Sequence, residues 1–596
     1  MKWIVAYISA IAISVLLAIF SGHVFGTIDN RTALICLLAG LFTAGFIIKQ
    51  YPNLSTGLER KDFKFWSIVT IVIFALFSLK SFLWIAYKAG NDISVQSDNN
   101  LGDMGLHISF INYFANSPPF WPDNHIVAGE KVRYPIGMDL FNSLLVMSGI
   151  DLFRGLIWVG LLCAIATAVA LLVWGRSFAL AGFLFNGGFA GFQFFQKFIF
   201  KDYQSQIAWR SIPVTMFVTQ RGLLYSIPAG LLLLISWRER YFGKEQNENK
   251  NANTLLPFWV EVLLYSVMPI FHAHSFIFLS ITLGIWLIFT KKENKITIIK
   301  FLAFSFPVAV FLMGLIADQS KTSSLIYIKL GWMQEKQDFF KFWIYNTGIF
   351  WPLVILLCLE IPALPRLMKA NIQEALNKFK ESRVIVLSAV FLFILFCNVM
   401  MAPWDWDNSK LLIWSYIILL PYLWRNLISH WNIVIKYIVC FLLFFSGFVC
   451  LIGGIKSPKG HKLFDFHEVT KVERVVKTLH IEDRFASYPT FNHPLLFCGH
   501  KVVLGYLGWM WSHGYNTKQT EEKLKRLMLG EDNWQELAKE LGVRYIFWGE
   551  LERKEYRDSK KPWESTTKKI ASGFWGSIYD LAPKSKNDFD SDFQPF

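Results

Sequence analysis

The sequence predicts an α-helical multi-pass membrane protein of about thirteen transmembrane helices, followed by a small extracytoplasmic α/β domain. Three observations predict it. Hydrophobic residues fill 54% and aromatic residues 17% of the 596 positions, and mean hydropathy is +0.37, more apolar surface than a soluble core buries. Apolar runs recur at about the 20 residues that a bilayer-crossing helix needs. After residue 455 these runs stop, and helix-like and strand-like segments alternate.

In chain order, the spans fall at about 3 to 26, 33 to 49, 64 to 87, 154 to 175, 178 to 196, 222 to 237, 257 to 271, 275 to 290, 299 to 316, 341 to 360, 384 to 401, 410 to 428 and 433 to 455. They define a membrane domain over 1–455 and a soluble domain over 456–596. The first run follows Lys2, exceeds the roughly 7 to 15 apolar residues of a signal-peptide core, and lacks a small-residue cleavage site, which predicts an uncleaved helix. Of the 7 cysteines, all but Cys498 fall in spans, so no disulfide framework is expected.

Topology accounts for the net charge of +15 without a nucleic-acid partner. Lys49, Arg60, Lys61 and Lys64 share one inter-span loop, and Arg238, Arg240, Lys244 and Lys250 another. Lys291, Lys292, Lys295 and Lys300 share a third, and Arg366, Lys369, Lys378, Lys380 and Arg383 a fourth. All four loops fall on one side, which the positive-inside rule makes cytoplasmic. The segments 88–153, 197–221, 272–274, 317–340 and 402–409, and the tail from 456, are then outside the cell membrane. Every polar cluster of interest lies in these outer segments, as a single external site would require.

In outer loop 88–153, Gly102-Asp103 precedes apolar residues at helical spacing, so Asp103 stands near a helix start with His107 one turn later on the same face. An acid there also suits a plain N-cap. Ser117-Pro118-Pro119-Phe120-Trp121-Pro122 ends that helix, and an amphipathic stretch from Tyr134-Pro135-Ile136-Gly137 to Met147 predicts a helix lying along the outer interface. His272 and His274 interrupt an apolar stretch from Leu255 to Thr290, implying a tight re-entry where they bind a metal, hydrogen-bond a phosphate or sugar, or cap the helix break. Two such ligands without a third favour the phosphate or sugar contact. Trp404-Asp405-Trp406-Asp407-Asn408-Ser409-Lys410 combines indoles that sit at interfaces and stack on sugars with groups that bond hydroxyls; an aromatic belt with a helix cap and a snorkelling lysine reads equally well. Gln220-Arg221 and Arg210 flank the outer end of the next span, where arginines also anchor helices structurally.

In the tail, a helix over 466–479, short strands at 484–488, 501–506 and 544–548, and helices over 518–529 and 532–541 predict a small α/β domain. Its run Gly505-Tyr506-Leu507-Gly508-Trp509-Met510-Trp511-Ser512-His513-Gly514 reads as a loop facing the membrane part, for docking or for a glycan or acceptor contact. Residues from Lys584 are expected to fray.

With these motifs in view, the chain resembles the GT-C class of membrane glycosyltransferases, which use lipid-phosphate-linked sugars. The shared features are an outer loop after an early span with an acid near its start, an interfacial helix, many spans and a C-terminal soluble domain. The chain also looks close, nearly end to end, to a branch of multi-pass bacterial and archaeal membrane proteins. Its motifs read here Gly102-Asp103 with His107, Gln220-Arg221, His272-Ala273-His274-Ser275, Trp406-Asp407-Asn408-Ser409-Lys410 and Gly505-Tyr506-Leu507-Gly508-Trp509. By resemblance Asp103 is the catalytic base or supports a metal. The chain departs from oligosaccharyl members in lacking their second outer acidic pair, for which Asp202 substitutes weakly, so a divalent metal is compatible but not required.

The resemblance implies transfer of a sugar from a polyprenyl-phosphate donor to a glycan, lipid or protein acceptor outside the membrane. Catalysis falls to Asp103 with His107. Arg221 clamps the donor phosphate, guanidinium suiting a multi-oxygen anion. Arg210, Gln220, His272, His274, Asp405, Asp407, Asn408, Lys410, Tyr506 and Trp509 complete the expected substrate contacts. The rivals are a lipid-linked glycan flippase or other transporter, which should show mid-membrane ionisable residues and an internal repeat, and a non-catalytic envelope-assembly protein.

Overall fold

The computed structural model describes residues 1–242, 255–317, 326–360, 372–456 and 460–582, with the side chains at 61, 360 and 372–381 excepted. The expected cytoplasmic residues Lys244, Lys250, Arg366 and Lys369, and the expected frayed end, lie outside the described residues.

Helices α1 (Lys2–Phe25) and α2 (Asn30–Gln50) form a hairpin, with Asp29 capping α2 by accepting from the Thr32 amide at 2.8 Å. The two touch closely because Gly40 lacks a side chain: a Cβ there would lie 2.2 Å from Ser14 Oγ. After α3 (Phe65–Leu83), strands β1 (Tyr87–Ala89) and β2 (Asp92–Val95) lead into α4 (Asn100–Ala115) and α5 (Gly137–Met147). Helix α6 (Leu152–Leu184) breaks at Gly175 and Arg176, at the boundary expected between two spans, where Arg176 meets Gly57 O and Asp62. The short α7 (Phe194–Lys197) precedes α8 (Arg221–Phe242), α9 (Phe258–Ser266), α10 (Met268–Phe271), α11 (Ala273–Phe289) and α12 (Lys292–Ile316). Next come β3 (Tyr327–Ile328), α13 (Phe339–Thr347), α14 (Phe350–Glu360), α15 (Ile372–Phe396), β4 (Val399–Met400), α16 (Ser409–Asn426) and α17 (Ile433–Ile455).

Among the described residues, seven helices are long and apolar enough to cross a membrane, or eight when α13 and α14, bent by 100°, count as one span. Among the described residues, the other expected runs form helices that are shorter or less apolar. The runs expected at 257–271 and 275–290 are the short α9, α10 and α11, and the run at 178–196 ends its helix at Leu184. Described parts of two basic segments meet: Arg240 bonds Leu256 O and Glu261, and Asn294 bonds Tyr241 O.

A second correction concerns α5. It is not a helix lying along an interface: nearly all its side chains are buried. Its polar side chains turn into the protein, Asn142 Nδ2 donating to Met138 O and Ser143 Oγ to Ile111 O.

The tail is built into the outer loop. Strand β5 (His461–Asp465) extends the antiparallel sheet in the order β1-β2-β5. After α18 (Phe466–Val476) come β6 (Arg484–Ala486), α19 (Pro494–Phe497), β7 (Lys501–Val502), α20 (Leu507–Ser512), β8 (Val543–Gly549), β9 (Lys568–Gly573) and β10 (Gly576–Asp580). Its five-stranded sheet runs β7-β6-β8-β10-β9, with β6 parallel to both neighbours. Helix α4 lies flush against this domain: Asn112 and Asn116 donate to Phe497 O and Cys498 O at 2.6 and 2.9 Å. Glycines permit the closeness, since a Cβ on Gly499 would lie 2.5 Å from Asn112 C, and one on Gly105 2.8 Å from Phe491 O.

Candidate functional site

At the junction of the bundle and the tail is a cavity of about 460 Å³. Its walls come from the start of α4, the loop before α5, the segment 210–222, the α10–α11 break, the end of α12, the segment 401–410 and α20 with the turn after it. These are the segments the charge asymmetry assigned to one side. Asp103, His107, Arg210, Gln220, His272, His274, Asp407, Lys410 and Trp509 all line it.

Asp103 stands in the first turn of α4 and is not its N-cap; that position belongs to Asn99. Burial pushes its carboxyl above the ordinary carboxylate value, with His107 and Lys410 opposing the shift and Asp407 adding to it. The raised basicity suits proton abstraction. Lys410 Nζ pairs with Asp407 Oδ1 at 3.1 Å, one turn apart on the cavity wall.

His107 is held from both sides. Its Nδ1 lies 2.9 and 3.0 Å from the two oxygens of Asp139, a fully buried carboxylate, and its Nε2 faces the Arg221 amide at 3.5 Å. The carboxylate fixes the proton on Nδ1. His107 is thus a locked ring in the wall, and Asp139, which holds it, is the residue that sequence reading passed over. Its signal was a carboxylate inside an apolar helical run, Gly137-Met138-Asp139-Leu140-Phe141.

His272 has the opposite tautomer. As N-cap of α11 it accepts at Nδ1 from the Ser275 amide at 3.1 Å, which leaves Nε2 as the donor. That Nε2 is buried, lines the cavity and has no protein partner, as is true of His274 Nε2. His272 therefore caps the helix break through Nδ1 and keeps Nε2 free of protein partners. Gly222 draws the start of α8 onto this break, since a Cβ there would lie 2.1 Å from Phe271 O, and this sets Gln220, with its Oε1 unpartnered, in the same wall.

Four of the expected contacts lie elsewhere. The Arg221 side chain is fully buried and does not line the cavity; its Nη2 reaches Leu156 O at 3.4 Å and its charge faces Asp139. Asp405 bonds Tyr327 and Lys329, outside the cavity lining. Asn408 is consumed by the backbone, accepting from the Met401 amide and donating to Phe396 O and Val399 O. Tyr506 is 41% exposed and packs its ring on Trp509 beside the cavity rather than in its wall. The Trp404–Lys410 run thus divides: Trp404, Trp406, Asp407 and Lys410 face the cavity, while Asp405 and Asn408 build the turn that holds them.

Among the described residues no three His, Cys, Asp or Glu side chains come together as a metal site. Asp202 caps the turn Tyr203–Gln206 by accepting from the Gln204 amide and lies outside the cavity lining. The described residues do not assemble the second acidic pair that the resemblance to oligosaccharyl members would imply.

No protein-family model and no curated protein matches the chain. Among solved structures it is similar to the archaeal oligosaccharyltransferase AglB from Archaeoglobus fulgidus in complex with an inhibitory peptide and a dolichol-phosphate, at 10% identity and a TM-score of 0.39, covering 82% of this chain and 70% of that one. It is similar to the Archaeoglobus fulgidus oligosaccharyltransferase in the apo form, at 11% identity and a TM-score of 0.40, with the same coverage of 82% and 70%. The form tethered to an acceptor peptide containing the NVT sequon gives 12% identity and a TM-score of 0.40, again over 82% and 70%. At this level the likeness concerns the course of the chain, and function is read from the cavity's own residues.

Proposed function

We propose that the chain is an integral membrane glycosyltransferase of the GT-C type, transferring a sugar from a polyprenyl-phosphate-linked donor to an acceptor hydroxyl on the extracytoplasmic face of the cell membrane, with its C-terminal domain on that face. The observation that carries this reading is one cavity holding a carboxylate of raised basicity, Asp103, together with Lys410, Arg210 and the unpartnered Nε2 of His272. Asp103 takes the proton of the acceptor hydroxyl, whose oxygen attacks the anomeric carbon of the donor sugar. The bond from that carbon to the phosphate oxygen breaks, and the polyprenyl phosphate leaves with the electron pair. Lys410, Arg210 and His272 meet the negative charge that develops on it. Arg221, the residue expected from sequence to hold the phosphate, is too deeply buried for that role; it neutralises Asp139 beneath His107.

The test is label transfer by the purified chain in nanodiscs, with a panel of polyprenyl-phosphate sugars present on both faces so that no transbilayer movement is needed. Release of polyprenyl phosphate matched by label in a second molecule is the expected result. Lipid scrambling without any transfer or donor breakdown across the panel would replace the enzyme with a flippase.

A further inference from the structure

One wall of the cavity differs in chemistry from the rest. It combines Trp404, which lies between β4 and α16, with Trp509, Ser512, His513 and Gly514 of α20 and the turn after it. The indoles form a continuous group across the junction of bundle and tail: Trp404 and Trp511 have centroids 6.0 Å apart, and Trp404 and Trp406 5.0 Å. Trp511 is 56% exposed and lies outside the cavity lining, a large apolar ring held in solvent against the cavity-lining Trp404, whereas tryptophans such as Trp563 are buried in the tail's core.

The polar side chains that α20 and the turn after it bring to this wall, Ser512 and His513, carry no charge, while Arg210 lies over the Trp406 ring at 5.1 Å. His513 packs on Tyr134 at 4.7 Å, and burial brings its imidazole down to about 4, so it carries no charge at physiological pH. Arg133, which borders the wall, is paired with Glu130 at 2.9 Å. An anion is therefore drawn to Lys410 and His272, not here. The ligand that matches flat indole faces edged with uncharged hydrogen-bonding groups has apolar C–H faces and a rim of hydroxyls, which describes a pyranose ring. A turn and a short helix offer an extended peptide no strand edge to pair with.

We propose that this wall is the acceptor subsite and that the acceptor is a carbohydrate, its terminal ring stacked on Trp404 and Trp511 with a hydroxyl directed toward Asp103. This rests on the transferase reading above and adds to it the chemical class of the acceptor. The wall is complete only while α20 is docked on the bundle, so the tail supplies half of acceptor recognition.

The test needs no turnover. The full chain, in nanodiscs freed of glycoside detergent, is titrated with maltohexaose, chitohexaose and mannohexaose, with tryptophan fluorescence and saturation-transfer NMR as readouts. At least one hexasaccharide binds, and Trp511→Ala weakens it about tenfold or more, the scale of one lost aromatic stacking contact made in a favourable geometry. Trp511→Phe recovers part of the loss, which a folding defect would not allow. Absence of binding by all three sugars, or binding indifferent to both Trp511→Ala and Trp404→Ala, overturns the inference. A chain that binds glycans but never breaks down a lipid-linked donor would sink the transferase reading alone; one that transfers sugar only to peptide or lipid would sink this inference alone.

Discussion

Asp103 is useful because it is buried: the same loss of water that makes its charge costly makes its carboxylate a stronger base. Its pKa is raised, so the active, ionised form is lost as pH falls through a value above the ordinary 3.9 or so of an aspartate. The acid limb of kcat/KM is accordingly expected above that value, and a limb at or below it in a pH–rate profile would contradict the burial argument. Asp139 acts one step removed, through His107. Asp139→Asn keeps the size but offers only one oxygen to Nδ1 and permits the other tautomer, so kcat is expected to fall about tenfold or more while thermal stability drops by roughly 1 to 2 kcal/mol. Unchanged kcat with the same stability loss would make the pair purely structural. Sequence pattern located Asp103, His272 and Lys410 because carboxylates, imidazoles and ammonium groups are rare beside lipid-facing helices. It misassigned Arg221 because spacing places a residue at a helix end without saying which way its side chain turns, and here it turns inward onto Leu156 O. Asp405 and Asn408 were grouped with Asp407 for the same reason, although a turn points neighbours in different directions.

At the scale of elements, the site depends on α4 being pressed against the tail. Gly499 has φ +71° and its missing Cβ leaves room for the α4 backbone at Asn112, so Gly499→Ala combines left-handed strain with a steric conflict. A loss of about 1 to 3 kcal/mol is expected, seen as faster protease cleavage near residue 460 while the bundle stays intact. Protection equal to wild type would mean that the tail's docking does not depend on this contact. The expected tail helices match α18 and the helices Lys518–Leu529 and Trp534–Glu540, and the expected strands near 484, 501 and 544 match β6, β7 and β8; β9 and β10 escaped notice because Lys568–Gly573 and Gly576–Asp580 carry lysines and glycines in place of a clear alternation. Helix α5 was misread for a physical reason: its polar face suits an interface, yet Asn142 and Ser143 are buried and donate to backbone carbonyls within the protein.

For the whole molecule, α8 and α12 each join a cavity-lining end, at Gly222 and Ile316, to a basic end, at Arg238 and Arg240 and at Lys292, Lys295 and Lys300. A reporter fused after residue 460 is therefore expected to be extracytoplasmic and one inserted within 241–252 cytoplasmic. Both reporters on one side would remove the external site. The central claim is that Asp103 is the base of a sugar transfer, and it is tested most directly by comparing wild type with Asp103→Asn in the nanodisc transfer assay, at equal expression and equal thermal stability. A fall in kcat of at least about a hundredfold, with donor binding retained, is the result this mechanism predicts; transfer at the wild-type rate by the folded variant would contradict it.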